Sequence, residues 1–233
     1  MSNRKKLIQI IILIIIILGV GYYFLNEFYL SKPKLANLEE LFEFKVVRQD
    51  LTQAQIDDYK NRFESNITQI QSSESGFILS SFNSMGMIKK ILYDFEGAEK
   101  IWEYTGFKSP KNSLSFFNLG ILYMEDLKDN KKAEKNFLIA LENSEGERGN
   151  EQYYRMVFDF YTYYYPQKES KIEGILLDVL RLEVYQNNPD ILSLLATYYG
   201  NNGQKEKALK YWQKVLMLNP DNEAVKNEIY KLE

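Results

Sequence analysis

The chain has 233 residues, 45% of them hydrophobic and 26% charged, which excludes intrinsic disorder and fits one membrane segment with one continuous helical core. It contains no cysteine and no histidine, and so excludes disulfides, thiolate nucleophiles, imidazole bases and the usual nitrogen and sulfur ligands of zinc, haem and iron–sulfur clusters. Beyond Pro33, 32 acidic residues less Glu27 and 29 basic residues less Arg4, Lys5, Lys6 and Lys32 leave 31 against 25, a net −6 that argues against nucleic acid as a partner.

A basic N-terminus, residues 1–6, precedes an uncharged stretch from Leu7 to Leu25 in which Gln9 is the one strongly polar side chain. A helix of that length spans about 28 Å, enough to cross a bilayer. Tyr22, Tyr23, Phe24, Phe28 and Tyr29 supply the aromatic belt of a retained transmembrane helix. The alternative is a signal peptide cleaved after Gly21. Arg4, Lys5 and Lys6 place the N-terminus in the cytoplasm and the rest of the chain outside it, against an opposing pull from Lys32 and Lys34.

Residues 26–50 read as a linker, interrupted by Pro33, with Phe44–Val47 as an extended segment along the first repeat. The helical domain is expected over 51–233. Thr52 and Gln55 form a capping box, Leu51 and Ile56 a hydrophobic staple, and Ile56, Tyr59, Phe63, Ile67 and Ile70 the apolar face of a cap helix over 51–72. The polar run 72–76 stops it.

Four helical hairpins follow. The first, 79–112, has Phe82, Met85 and Gly86, then Ala98, Trp102 and Thr105, with Pro110 closing it. The second, 113–147, has Phe116, Leu119, Gly120 and Tyr123, then Ala133, Phe137, Ala140 and Leu141. In the third, 148–188, the core is read as Tyr153, Met156, Val157 and Phe160, then Ile172, Leu176, Val179 and Leu180. It lacks small residues, so looser packing or an altered angle is expected. The fourth, 189–222, is the clearest: Leu192, Leu195, Ala196 and Tyr199, a break at Asn201–Gly203, then Ala208, Leu209, Trp212, Val215 and Leu216, with Pro220 ending it. Val225, Ile229 and Leu232 mark a closing cap over 221–233.

This pattern resembles the tetratricopeptide repeat, a helix pair recurring about every 34 residues. Lys89 departs from the family's aromatic. The resemblance implies an all-α, right-handed superhelix of antiparallel helix hairpins, here preceded by one transmembrane helix, in a build similar to that of bacterial envelope proteins. It also implies a groove for an extended or helical peptide along the first helices of the hairpins. One residue, about 100°, from the core face lie Asn83, Met87 and Lys90; Phe117, Ile121 and Met124; Tyr154, Phe158 and Tyr161; and Ser193, Thr197 and Gly200. The aromatic residues among them either anchor a partner or pack against the adjoining repeat. Of the family's clamp for a C-terminal carboxylate only Asn118 fits, while Asn83, Met87 and Leu114 depart from it, so that role is rejected.

No residue spacing supplies catalysis. Gly200–Lys205 lacks the ending of a phosphate loop and follows a helix, and adjacent acids such as Asp57 and Asp58 do not converge. The expectation is a membrane-anchored scaffold, not an enzyme, with no cofactor, no metal and a protein or peptide partner. Alternatives are a secreted binding protein, a self-assembling spacer and an enzyme with an unusual carboxylate site.

Overall fold

The computed structural model describes residues 36–145 and 147–233. The basic N-terminus and the expected transmembrane helix over 7–25 lie outside the described residues. Among those described, no helix is long and apolar enough to cross a membrane, and every regular element is helical.

A short helix α1 (Leu38–Phe42) is followed by α2 (Gln53–Ser72), which starts at the expected capping box: Gln55 N donates to Thr52 Oγ1 at 3.3 Å, and Thr52 N to Gln55 Oε1 at 2.9 Å. The hairpins then pair α3 (Leu79–Ile91) with α4 (Phe95–Lys108), α5 (Ser113–Glu125) with α6 (Asn130–Asn143), and α9 (Pro189–Asn201) with α10 (Lys205–Leu218). In all three the first helix has 13 residues and the second 14. Side chains of Asn112, Asn188 and Asn222 cap the helices that follow them. The closing helix α11 (Glu223–Leu232) packs on α10 and buries Val225.

Close crossing depends on a missing side chain. A Cβ at Gly86 would stand 2.5 Å from Trp102, and one at Gly120 2.4 Å from Phe137, so the aromatic ring of each second helix lies against the backbone of the first. Ala196 is the fully buried counterpart in the fourth hairpin, with Trp212 on its second helix.

The third hairpin is built differently. Helix α7 (Glu151–Asp159) continues into a π-helical turn (Phe160–Tyr164) and a 3-10 turn (Pro166–Lys168), and α8 (Lys171–Val179) has only 9 residues. The backbones of α7 and α8 approach less closely than those of the other hairpins, and both helices also lie against α9. Counting from the capping residues Asn112 and Asn188, Asn150 sets the register: Tyr154, Val157, Phe158 and Tyr161 match Phe116, Leu119, Gly120 and Tyr123. Of the expected core, Tyr153, Val157 and Phe160 are buried and Met156 is half-buried, so the interior takes side chains from two registers one residue apart. Phe158 stands where the other hairpins have glycine or alanine, which keeps α8 from closing on α7.

A repeated polar contact joins consecutive hairpins. Each of Glu99, Glu134 and Glu173, just after the first core residue of a second helix, accepts a hydrogen bond from a tyrosine hydroxyl of the next hairpin: Tyr123 at 2.5 Å, Tyr161 at 3.0 Å and Tyr199 at 2.8 Å. The same oxygen meets a lysine from the start of that hairpin's second helix: Lys132 at 3.3 Å, Lys171 at 2.7 Å and Lys207 at 3.3 Å. Lys132 and Lys207 also lie 4.7 Å over the rings of Tyr123 and Tyr199. Burial, with the neighbouring carboxylate, pushes the ionisation of all three phenols up, so they remain donors.

The first part of the expected linker, residues 26–35, lies outside the described residues. From Glu39 the chain belongs to the same compact unit as the hairpins. Leu41 is fully buried, Phe42 stacks on Phe82 and Phe44 meets Phe63 edge-on. Val47 N and Arg48 N both donate to Leu92 O at 3.0 Å, so the segment after α1 is extended along the first hairpin, as expected. Lys89, in the place of the tyrosines above, is buried; it pairs with Asp94 at 2.8 Å and donates to the carbonyl of Glu43. A buried ammonium needs such partners, and the N-terminal segment supplies one of them.

Candidate protein-binding site

The expected wall separates into residues that a partner can reach and residues that it cannot. In the first hairpin Met87 is 42% exposed. Lys90 is half-buried and bridges to Glu125 at 3.0 Å and Asp126 at 3.1 Å; burial alone would lower its pKa, but these carboxylates hold it above the usual lysine range. Asn83 is buried and accepts from Ser115 Oγ at 3.0 Å, while its amide nitrogen has no partner among the described residues.

In the second hairpin Ile121 and Phe117 are half-buried, Phe117 stacking on Tyr153 with ring centroids 4.2 Å apart. Asn118 and Met124 are buried. In the fourth, Ser193 and Thr197 are half-buried and return their hydroxyls to the carbonyls of Pro189 and Ser193, at 2.6 and 2.9 Å, and Gly200 is half-buried beside them.

The third hairpin buries its share of the expected aromatic wall. Tyr154, Phe158 and Tyr161 are buried: Tyr154 meets Tyr185 in a T-shaped contact at 5.6 Å, Phe158 packs with Val157, Ile172 and Leu176, and Tyr161 donates to Glu134. Their rings belong to the packing between helices. The one-residue register shift is the cause, because these residues hold core places and not wall places.

The wall places of α7 and its π-helical continuation, five, nine and twelve residues after Asn150, belong to Arg155, Asp159 and Thr162. Arg155 is exposed and reaches Asp190 of α9 at 3.2 Å. Burial raises the pKa of the Asp159 carboxyl against the pull of Arg155, and Thr162 Oγ1 is buried with no partner among the described residues. The wall is thus apolar at the second hairpin and polar at the third. The asparagine preceding the second, third and fourth hairpins was the signal for these residues, since counting from Asn112, Asn150 and Asn188 yields them directly.

Among the described residues no group of acidic side chains is arranged to hold a metal ion. No curated protein matches the chain. Residues 189–222, which span α9, α10 and the turn that closes them, match the tetratricopeptide repeat family, whose units mediate protein–protein interactions.

Proposed function

We propose that the chain is a single-pass membrane protein, held by residues 7–25 with its N-terminus in the cytoplasm, whose repeats stack as a right-handed superhelix outside the cytoplasm. There they recruit or organise partner proteins at the cell envelope without catalysing a reaction. The observation that carries this reading is the accessible apolar strip of Met87, Phe117 and Ile121 on the first helices of an array that contains a tetratricopeptide repeat. The uncharged stretch from Leu7 to Leu25 supports the anchor, and the lack of cysteine and histidine supports a binding role over a catalytic one.

The experiment is affinity capture by the full chain in membranes, comparing the native protein with Met87→Asp/Ile121→Asp. Loss of captured partners at unchanged helicity is expected, since exposed or half-buried wall residues touch a ligand and little of the core. Undiminished capture by the double variant refutes the wall. Intact mass of the N-terminus, together with a reporter fused at Glu233, checks anchor and orientation: a chain cleaved after Gly21 refutes the anchor.

A further inference from the structure

A cleft of about 220 Å³ opens between α6 and α8, with Tyr154 of α7 at its side. It lies apart from the wall described above. Leu138, Leu141, Ile175 and Val179 line it with apolar surface, and Leu138 is 37% exposed. Ligand pockets run to roughly 300–1,000 Å³, so this one suits one or two apolar side chains and not a cofactor.

The polar groups at the cleft carry a single sign. Glu142, Glu145 and Asp178 line it. Asp178 is engaged by Arg181 at 2.6 Å, whereas Glu142 and Glu145 have no ion-pair partner among the described residues. Tyr154, whose ring is buried against Tyr185, contributes a hydroxyl with no hydrogen-bond partner among the described residues. Burial, with the charges of Tyr185 and Glu145, pushes its ionisation up and keeps that hydroxyl a donor. An apolar floor, an unused donor on an otherwise buried ring and two unpaired carboxylates together specify a complement.

We propose that this cleft docks a basic amphipathic segment of a partner protein, with one apolar side chain on the floor of Leu138, Leu141 and Ile175 and lysine or arginine side chains at Glu142 and Glu145. A backbone carbonyl of the segment accepts from the Tyr154 hydroxyl. The proposal rests on the reading of the chain as a protein-binding scaffold, but uses a surface separate from the wall.

The test is fluorescence anisotropy with the full chain and a labelled synthetic peptide of leucine and phenylalanine spaced among lysines. Saturable binding is expected, and Glu142→Lys/Glu145→Lys should weaken it by about tenfold or more, because like-charge contacts replace complementary ones. Both glutamates are exposed, so the fold is unaffected. Tyr154→Phe, which keeps the ring packing, should weaken binding several-fold at an unchanged melting temperature. A peptide of lysine alone should bind far more weakly.

Equal binding by the charge-reversed variant, equal binding of the lysine-only peptide, or no binding by the native chain overturns the proposal. Tighter binding after Arg4, Lys5 and Lys6 are replaced by serine overturns the partner assignment in favour of the chain's own basic N-terminus. Met87→Asp/Ile121→Asp separates the two surfaces: it should leave peptide binding intact, and failed peptide binding with partner capture retained condemns the cleft alone.

Discussion

In the second hairpin the ring of Phe137 lies against the backbone of α5, where Gly120 leaves room for it; in the third, Phe158 fills the equivalent place and α8 stays apart from α7. The neighbouring seams do not share this difference. Glu134, Tyr161 and Lys171 make the same contact between the second and third hairpins that Glu99, Tyr123 and Lys132 make between the first and second. Closing a hairpin and stacking it on its neighbour are therefore separate tasks, given to different residues. A helix pair can fail at the first task and still succeed at the second, and the one that does so here has a shortened second helix and a π-helical turn.

The comparison breaks most sharply at the crossing aromatic. Phe137→Ala should cost about 3–5 kcal/mol, while Leu176→Ala, its counterpart on the loosely held α8, should fall near the lower end of the ~2–5 kcal/mol range for such truncations. Denaturant titration of the two variants measures the difference, and equal losses would mean that α8 is as tightly held as α6. Next in size is Gly120→Ala, whose methyl group would overpack the ring of Phe137 and cost about 1–3 kcal/mol. Phe158→Ala makes room at the same place, and amide exchange in α8 should slow relative to the rest of that hairpin if the helix then closes on α7. Faster exchange throughout would show that Phe158 props a hairpin that cannot otherwise close.

A smaller effect sharpens the seam. Burial pushes the Glu134 carboxyl up, but hydrogen bonds from Lys168, Lys171 and Tyr161 outweigh it and hold the group below the usual carboxylate range. Stability gained from a depressed folded pKa is present above the unfolded value of about 4.3 and is lost as pH falls through the lower folded value. Glu173 acts in the same direction through the hydroxyl of Tyr199, whereas burial raises Glu103 and gives it the opposite sign. Glu134→Gln should therefore lower the melting temperature at neutral pH, by the equivalent of about 1–3 kcal/mol, and flatten the fall on acidification. Tyr161, whose folded pKa is raised, contributes on the alkaline side, where stability is lost above pH of about 10. The smallest change is expected from Arg155→Ala: its pair with Asp190 is solvent-exposed and worth about 0.2–1 kcal/mol, so a melting shift beyond that would mean Arg155 packs as well as pairs.

The fourth hairpin was the most legible because each of its diagnostic places carries an ordinary residue: Ala196 at the crossing, Tyr199 at the seam, Gly203 with φ of 68° in the turn and Pro220 after the end. The first two hairpins reach the same left-handed turn with Tyr93 and Lys128, which give no such signal, and their glycines at the crossing identified them instead. The third hairpin misled because Tyr153, Tyr154, Val157, Phe158, Phe160 and Tyr161 are all buried, so apolar spacing alone fits two registers one residue apart. Asn150 decides between them, although its side chain makes no capping hydrogen bond. The cleft was invisible in the sequence, since it results from how far two helices stand apart. The docking of α1 was hidden for another reason: one buried residue, Leu41, in a helix of five gives no period to read, and the ring that Phe42 stacks on lies forty residues away in the first hairpin.

Each seam takes its glutamate from the hairpin before it and its tyrosine and lysine from the hairpin after it, which makes the joint directional. A directional, head-to-tail joint is the kind that lets identical molecules add without limit into an open fibre. Neither end of this array offers the next molecule what the joint requires. The first hairpin presents Lys89, already committed to Asp94 and the carbonyl of Glu43, where a tyrosine would be needed. The last presents Leu209 where a glutamate would be needed. Polymerisation through this joint is thus barred at both ends by a single side chain, quite apart from α2 and α11, which pack over the first and last hairpins.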